Sequence, residues 1–486
     1  MSHWTRRNNL WLLLIIAVAL LLRFYRLGHE SCWLDELYDM VEADPAYPMS
    51  KLFDALKTFD SHPPLFYLCE RCIFIVFGES EATARILPAL AGTGAVWVMF
   101  LLGKEALNER LGLVASSLTC VNYFAIWYSR EVRGYSFLFF FSALSLVFLF
   151  RLIKNLRTRD MWGFGIAALG ILYSHYFGVF LVFAEYCAAG VLFFSDNDRK
   201  LFAMRFGGSM LIILAGYSFW MPVLFSLVHI HSSWIKLDPG WFADYFKSYF
   251  GGSPVVYLML ALWVVYIAGV FIKRYWRWPG TKVSPPALSF VLLMTTIVVT
   301  LIVPFVRSLF SVPTLVDRYT IVVLPSLLVA IAYGIELLPW KRVKYIVIAG
   351  ILLLCLERNI LEVQIYTKPH KSQFREVTAY MAADTAADHF PVLNDRVAFQ
   401  EAYYIRKFKY PGQLWDMPRT AVIDSLVRKA SPRFAVAGFW LMNAHQAGLP
   451  NTFLDSVTRA KLDSSFVITR EGRFVDAWAQ LYMRKP

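Results

Sequence analysis

The chain has 486 residues, of which 58% are hydrophobic and 17% are charged, whereas an ordinary soluble domain has about 45–50% apolar and about 25% charged residues. This composition excludes a soluble globular protein and indicates a polytopic membrane protein. The formal net charge of +13 does not indicate nucleic-acid binding, because the Lys and Arg residues form short clusters between apolar runs instead of one basic surface.

Eleven apolar segments alternate with polar loops and are predicted to be transmembrane helices. Basic residues are concentrated in every second loop, for example at Arg6 and Arg7 and again at Lys341 and Arg342. By the positive-inside rule these loops and the amino terminus are cytoplasmic, and the chain after about residue 357 lies outside. The predicted spans are approximately 10–27, 84–103, 111–128, 134–152, 162–176, 178–194, 207–227, 255–272, 288–306, 319–338 and 345–356.

Residues 64–77 form a further apolar segment that does not fit this count. The segment has only about fourteen residues, fewer than a span needs, and it contains Glu70 and Arg71. It is therefore predicted to be an interfacial or re-entrant helix on the outer surface. If it crossed the membrane, every later basic loop would face outward.

The composition changes at about Thr367, where charged and polar residues become frequent. Short β-like runs then alternate with helical stretches, which predicts a small α/β domain of about 120 residues. The β-like runs are 391–394, 433–440, 465–469 and 474–483, and the helical stretches are 373–387 and 419–430. The predicted organisation is a transmembrane catalytic domain at 1–360, with a large first outer loop at 28–83, and an extracytoplasmic α/β domain at 361–486.

Two adjacent acids, Asp35 and Glu36, follow the first span in the sequence W-L-D-E. An exposed Asp-Glu pair is by itself most often solvated or a helix cap. Here Trp33 offers an interfacial anchor, and the loop returns to the membrane through His62 and a rigid Pro-Pro pair. A lipid-linked substrate can meet an acid or base at this place, so both acids are candidate catalytic residues.

A second polar group, S-R-E-V-R-G-Y at 129–135, lies at the outer end of a span and breaks the positive-inside pattern. Arg130 and Arg133 need an anionic partner on that side, and a lipid phosphate is an available one. The structural alternative is interfacial snorkelling of the arginines with a local pair to Glu131.

Other polar residues at the predicted outer ends of spans have equally balanced interpretations. His175, in Y-S-H-Y-F-G, is either a hydrogen-bonded structural histidine or a site residue. Arg318 either reaches the same phosphate or pairs with Asp317. His229 and His231 are two residues apart, but no acid or Cys stands beside them at helical spacing, so no metal site is predicted.

Together these segments resemble the GT-C membrane glycosyltransferases of the family 39 type, which include protein O-mannosyltransferases and the lipid A aminoarabinose transferase. The resemblance extends over most of the membrane half, and a weaker match, E-A-Y-Y-I-R at 401–406, lies in the carboxy-terminal part. The membrane-half segments are W-L-D-E, S-H-P-P-L-F-Y with F-G-E-S-E-A-T-A-R-I-L-P-A-L at 77–90, Y-S-R-E-V-R-G-Y-S, and R-Y-T-I-V-V-L-P at 318–325.

The resemblance implies an inverting transferase that moves a sugar from a polyprenyl-phosphate carrier to a hydroxyl acceptor (a lipid, a glycan or a protein) on the extracytoplasmic face. It implies that Asp35 is the base, with Glu36 beside it, and that Glu131 is a second acid. In this family, basic residues near the membrane hold the donor phosphate. The first outer loop of this chain has no Lys that aligns with these residues, and Lys57 is a possible substitute for one. The implied phosphate-binding residues are Arg133, Arg318 and Arg130, and the supporting residues are His62, His175, Tyr135 and Tyr404.

Physical chemistry is consistent with this scheme. A carboxylate that accepts the proton of the acceptor hydroxyl raises the reaction rate by a factor of about 10² to 10⁴, and cationic groups stabilise the departing phosphate. A metal is therefore optional, and a divalent cation held by Asp35 and Glu131 is an open alternative. The predicted location is the cell (inner) membrane, with a cytoplasmic amino terminus and an extracytoplasmic active site.

A lipid or oligosaccharide flippase is the rival interpretation of a polytopic chain. Such a transporter is expected to carry charges or broken helices near the middle of the membrane. The predicted spans contain almost no acid in their middle parts apart from Glu185. The sequence therefore favours the enzyme.

Overall fold

The computed structural model describes residues 2–58, 62–196, 198–226, 235–236, 240–251, 253–272, 284–394, 398–445, 448 and 450–486. His229 and His231 lie outside these residues. The chain divides into two compact units, which are described separately below. The first unit contains 1–25, 48–72 and 85–364, and the second contains 26–47, 73–84 and 365–486.

The first unit is helical, as the apolar segments predict. Helical structure is present at each of the eleven predicted spans and at 64–77. The helices are Ser2–Phe24, Met49–Thr58, Leu65–Phe77 (which ends in the second unit), Ile86–Ala106, Glu109–Val121, Tyr123–Tyr128, Tyr135–Asn155, Thr158–Ser174, Gly178–Phe193, Arg199–Tyr217, Met221–Ser226, Trp241–Phe250, Ser253–Ile272, Pro285–Phe310, Leu324–Leu337 and Lys341–Glu357, with a 3₁₀ turn at Tyr319–Val323 and a π turn at Arg358–Glu362.

Not every one of these helices is long enough to cross a bilayer alone. Within the described residues, five helical stretches satisfy both length and hydropathy, and a sixth does so if a bent pair counts as one span. The count of eleven crossings therefore stays a prediction. The five are Glu81–Ala106, Tyr135–Asn155, Arg199–Tyr217, Pro285–Phe310 and Tyr319–Leu337, and shorter apolar helices include Asn8–Phe24 and Gly178–Phe193.

The predicted span at 111–128 is not one continuous helix. It breaks at Asn122, whose backbone is extended with φ −61° and ψ 125°. The Asn122 side chain accepts a hydrogen bond from Ala125 N at 2.9 Å and donates one to Tyr249 O at 3.0 Å. Hydropathy does not detect this break, because a capping side chain changes the backbone without changing the apolar character of the segment.

Two helices of the first unit approach closely because glycines face each other. A Cβ atom at Gly112 would lie 2.4 Å from the carbonyl oxygen of Phe100, and one at Gly103 would lie 2.7 Å from the Gly112 Cα. Small residues permit such backbone contact between membrane helices. This contact packs Ile86–Ala106 against Glu109–Val121.

The second unit contains a five-stranded mixed sheet in the order β2-β1-β3-β5-β4. The strand β1 is parallel to β2 and β3, and β5 is antiparallel to β3 and β4. The strands are β1 Val392–Leu393, β2 Leu414–Trp415, β3 Gly438–Ala444, β4 Phe466–Phe474 and β5 Ala477–Arg484. The helices are Leu34–Ala43, Glu81–Ala84, Phe374–Ala382, Ala398–Lys407, Arg419–Arg428, Pro450–Phe453 and Ser456–Ser465, with a 3₁₀ turn at Pro432–Phe434.

One face of this sheet has its own apolar core. Val422 and Leu426 of the helix Arg419–Arg428 pack with Phe439, Leu441 and Trp478 of the sheet. The predicted class, a polytopic helical protein with a carboxy-terminal α/β domain, is therefore confirmed. Residues 26–47 and 73–84, nearly all of which lie in the predicted first outer loop, belong to this second unit.

Candidate active site

The first group of predicted site residues occupies the turn between Tyr123–Tyr128 and Tyr135–Asn155. Arg130, Glu131 and Arg133 are all buried, and Glu131 is only 2% exposed. The turn is tight, since Arg133 N donates to Glu131 O at 2.8 Å. Snorkelling requires the charged ends to reach solvent, so the burial of these side chains does not fit that alternative.

Arg130 holds the end of the first helix. Its Nη1 atom donates to the carbonyl oxygens of Arg23 at 2.9 Å and Tyr25 at 2.8 Å. The last carbonyls of a helix have no partner within the helix and carry partial negative charge, so a guanidinium stabilises them. This contact assigns Arg130 a structural role, and its role in phosphate binding stays a prediction.

Arg23 is a buried cation that the sequence analysis did not identify. The side chain is fully buried and donates to Ser129 Oγ, Thr119 O and Cys120 O, each at 3.2 Å. The two carbonyls belong to the last turn of Glu109–Val121, where a positive charge is favourable. Arg23 therefore fixes the residue at which the turn 129–134 begins.

Four aromatic side chains, named here the ring cluster, bring distant parts of the sequence together: His62, Tyr135, His175 and Tyr319. The His175 ring centroid lies 5.1 Å from that of His62, 5.9 Å from Tyr135 and 4.4 Å from Tyr319. Three of the predicted site residues are thus neighbours within the first unit. The ring of Tyr128 adjoins the cluster, 5.0 Å from Tyr135.

The protonation of His175 follows from its backbone contact. Phe177 N donates to His175 Nδ1 at 3.0 Å, so Nδ1 must carry its lone pair. A neutral imidazole then has its proton on Nε2, which becomes a hydrogen-bond donor. His175 is buried and lies directly after Thr158–Ser174, so this donor is held on a fixed backbone.

Arg318 lies next to the ring cluster. Its guanidinium carbon is 5.6 Å from the Tyr319 ring centroid, and its backbone N donates to Asp317 Oδ1 at 2.8 Å. The buried phenol of Tyr128 lies near the charged groups of Glu131, Asp317 and Arg318. The first unit therefore brings the buried Glu131 and the half-buried Arg318 into one charged neighbourhood with the ring cluster.

The second unit holds the other predicted residues. Asp35 is half-buried at the second position of the helix Leu34–Ala43, and Glu36 is fully buried at the third. The Glu36 carboxylate pairs with Lys371 Nζ at 3.0 Å and accepts from Trp33 N at 3.3 Å. Sequence reasoning gave no sign of Lys371.

Tyr404, in the E-A-Y-Y-I-R segment, contacts the loop that precedes Asp35. Its hydroxyl accepts a hydrogen bond from Cys32 N at 2.9 Å and lies 3.3 Å from Ser31 Oγ. All three residues are buried. Tyr404 therefore fixes the backbone directly before the helix that carries Asp35.

The predicted residues thus form two groups, one within each unit. His62, Arg130, Glu131, Arg133, Tyr135, His175 and Arg318 belong to the first, and Asp35, Glu36 and Tyr404 belong to the second. Within the described part of the chain, no three His, Cys, Asp or Glu residues are arranged to hold a metal ion. The cation between Asp35 and Glu131 remains a hypothesis, and no chemical step is assigned to it.

Known proteins are similar to this chain at two levels. Residues 61–224 match the family model of dolichyl-phosphate-mannose-protein mannosyltransferase. This segment contains Glu131, Arg133 and His175 but neither Asp35 nor Arg318. The structure is similar to that of ArnT from Cupriavidus metallidurans bound to undecaprenyl phosphate, with a TM-score of 0.56, 13% identity, and coverage of 97% of this chain and 98% of ArnT. The chain has the GT-C fold.

This GT-C protein also resembles an archaeal structure. Oligosaccharyltransferase AglB from Archaeoglobus fulgidus, in complex with an inhibitory peptide and a dolichol-phosphate, matches with a TM-score of 0.54 and 11% identity, covering 99% of this chain and 74% of AglB. An uncharacterized protein of Aquifex aeolicus is 27% identical over 164 residues, which is 34% of this chain and 36% of that relative. The resemblance inferred from the sequence is confirmed, and the chain is an integral membrane protein.

Proposed function

We propose that this protein is an inverting glycosyltransferase that moves a sugar from a polyprenyl-phosphate donor to a hydroxyl acceptor. The observation that carries the proposal is the charged neighbourhood of the buried Glu131, the half-buried Arg318 and the ring cluster in a chain with the GT-C fold. Two structures with this fold, ArnT and AglB, contain a polyprenyl-type phosphate. The proposal extends that class of ligand to the present chain.

Burial of the charged side chains of Glu131 and Arg133 is the physical argument for a site. Placing a guanidinium or a carboxylate inside a protein is unfavourable unless other groups compensate the charge. Such arrangements are concentrated where a protein binds or transforms a charged substrate. Arg133 and Arg318 suit a phosphate because each guanidinium presents a planar set of donors.

The proposed reaction is a single displacement. The oxygen of the acceptor hydroxyl forms a bond to the anomeric carbon, and the bond from that carbon to the phosphate oxygen breaks with inversion. Asp35 accepts the hydroxyl proton, and polyprenyl phosphate leaves with the electron pair. Because the phosphate is a stable anion, no acid is needed to protonate it.

The remaining residues stabilise the developing charge. Arg133 and Arg318 supply positive charge to the departing phosphate, and His175, held with its proton on Nε2, supplies a neutral donor. Donors fixed before the reaction are effective because they need no reorganisation. Glu131 is assigned to orienting the acceptor or an arginine of the site.

The proposed location is the extracytoplasmic side of the cell membrane. The basic loops of the sequence support a cytoplasmic amino terminus by the positive-inside rule. Asp35, the turn 129–134 and Arg318 then lie on the opposite side, where lipid, glycan or protein acceptors are available.

The test uses the purified full chain in lipid nanodiscs. Polyprenyl-phosphate pentoses and hexoses are each supplied with lipid, glycan and peptide acceptors, and both released polyprenyl phosphate and the mass of the acceptor are measured. Asp35→Asn is expected to lower the rate by about 10²- to 10⁴-fold with normal membrane insertion. The matched control is Asp424→Asn, which changes an exposed acid paired with Lys461.

Two results would contradict the proposal. If no donor releases polyprenyl phosphate while the protein transfers intact donor between leaflets, the chain is a flippase. If Asp35→Asn forms product at the wild-type rate, Asp35 is not the base.

A further inference from the structure

The loop that carries Asp35 is held by residues more than 300 positions later in the sequence. Glu30 accepts hydrogen bonds from the backbone N atoms of His370 and Lys371, the latter at 2.9 Å. The Lys371 ammonium then pairs with Glu36 at 3.0 Å. One residue therefore contacts both the beginning of the loop and the first turn of the helix Leu34–Ala43.

Further contacts fix the backbone between these two points. Arg375 donates to Gly28 O at 3.1 Å and to His29 O at 2.6 Å, and its backbone N donates to Ser31 Oγ at 3.1 Å. Tyr404 accepts from Cys32 N. Together with the Glu30 contacts, these bonds connect every residue from 28 to 32 to the carboxy-terminal segment.

The residues that make these contacts are themselves attached to the sheet. Ser372 Oγ donates to Asp476 Oδ2 at 2.6 Å, and Gln373 N donates to Val475 O at 3.0 Å. Val475 N returns a bond to Gln373 Oε1 at 2.8 Å. Residues 475 and 476 form the turn between β4 and β5, so the segment 370–375 is anchored to a hairpin of the carboxy-terminal sheet.

The Lys371–Glu36 pair is the most constrained of these contacts. The Lys371 side chain is 7% exposed and that of Glu36 is 0% exposed. A buried pair of this kind tolerates little displacement, because loss of either partner leaves an uncompensated charge inside the protein. Both Glu36 oxygens are occupied, one by Lys371 and the other by Trp33 N.

We propose that Lys371 is a positioning residue that acts through Glu36 to hold Asp35 for proton transfer, so that the carboxy-terminal domain takes part in the sugar-transfer step. The proposal rests on the function proposed above. It assigns Glu36 to fixing the first helical turn and leaves Asp35 as the base. Loss of the ion pair is therefore expected to lower the rate of sugar transfer and to leave the affinity for the donor unchanged.

The test compares Lys371→Met with Lys371→Arg and with the matched control Lys461→Met. Lys461 lies in the same unit and pairs with Asp424 at 2.8 Å, but both side chains are more than 40% exposed. Lys371→Met is expected to lower kcat by about 100-fold, the effect of misplacing a catalytic group by about 1 Å, with KM for the donor changed less than about threefold. Lys371→Arg is expected to restore most of kcat, and Lys461→Met to change neither constant.

A second measurement does not depend on activity. Hydrogen exchange of the backbone amides at 31–37 is expected to be faster in Lys371→Met than in wild type by about tenfold or more, and unchanged in Lys461→Met. If Lys371→Met does not yield monodisperse protein, Lys371→Gln, which keeps a donor for Glu36, replaces it in both measurements.

The outcomes separate the two proposals. An inactive wild type with faster exchange in Lys371→Met would reject the glycosyltransferase function and retain the anchoring of the loop. An active wild type with unchanged kcat in Lys371→Met, or with KM raised and kcat unaltered, would overturn the positioning role.

Discussion

Glu401 is expected to make the second unit sensitive to pH. This carboxyl group is completely buried and accepts a hydrogen bond from the Thr378 hydroxyl. Burial raises the pKa of Glu401 from its ordinary value of 4.5 to about 8, although the hydrogen bond from Thr378 opposes the rise. The group lies in the helix Ala398–Lys407, which carries Tyr404 and packs against Leu34–Ala43.

The direction of the effect follows from proton binding. Between pH 4.5 and about 8 the folded state keeps a proton on Glu401 that the unfolded state has released, so stability falls as pH rises through this range. The contribution is fully present below pH 4.5 and lost above about pH 8. Since each pKa unit corresponds to about 1.36 kcal/mol, the total change is about 5 kcal/mol.

Glu401→Gln tests this reasoning because glutamine keeps the shape and remains neutral. Hydrogen exchange gives the opening free energy of the amides at 401–407, measured in lipid nanodiscs between pH 5 and 9 and corrected for the intrinsic exchange rate. In wild type this free energy is expected to fall by about 4 kcal/mol over that interval, whereas in Glu401→Gln it stays constant. Asp424→Asn, an exposed acid of the same unit, is the control. Parallel pH profiles for wild type and Glu401→Gln would refute the assignment.

Two further substitutions examine one supporting residue in each unit. Tyr404→Phe removes the acceptor for the buried Cys32 N and is expected to destabilise the second unit by about 1–3 kcal/mol, measured as faster hydrogen exchange of the backbone amides at 31–34. The control is Tyr38→Phe, which changes an exposed tyrosine. Equal exchange rates in Tyr404→Phe and wild type would contradict the role of the Tyr404 hydroxyl. Arg23→Met removes the guanidinium that donates to Ser129 Oγ and two carbonyls and is expected to lower the midpoint temperature of thermal inactivation. Arg23→Lys is expected to restore this midpoint incompletely, because an ammonium lacks the planar set of donors. Full restoration by Lys would show that charge alone suffices.

Hydropathy predicted the helices of the first unit well because a long apolar segment can be recognised from its local composition alone. It placed helical structure at every predicted span. It failed at Asn122, where one polar side chain caps a new helix inside an apolar segment. Hydropathy also did not predict which helices pack against each other, because close contacts such as Gly103 against Gly112 depend on the tertiary arrangement and not on local composition.

The site residues were accessible to the sequence only in part. The pattern at 129–135 indicated Glu131 and Arg133 because arginines at the predicted outer end of a span break the positive-inside rule. The positive-inside rule also led to the prediction that Arg130 binds phosphate. In the structure, Arg130 donates to carbonyl oxygens at the end of the first helix. Charge type and side of the membrane cannot separate a guanidinium that caps a helix from one that is available to a substrate.

Asp35 and Glu36 show why adjacent residues of one type need a structure to be distinguished. With 3.6 residues per helical turn, neighbouring side chains point about 100° apart. The direction that takes Glu36 into its buried pair with Lys371 therefore takes Asp35 away from that pair, and Asp35 is correspondingly more exposed. The resemblance implied that Asp35 is the base with Glu36 beside it, and the helix separates the two acids. Glu36 is fixed by a cation, and in the proposed reaction its neighbour Asp35 keeps the accessibility that proton transfer requires.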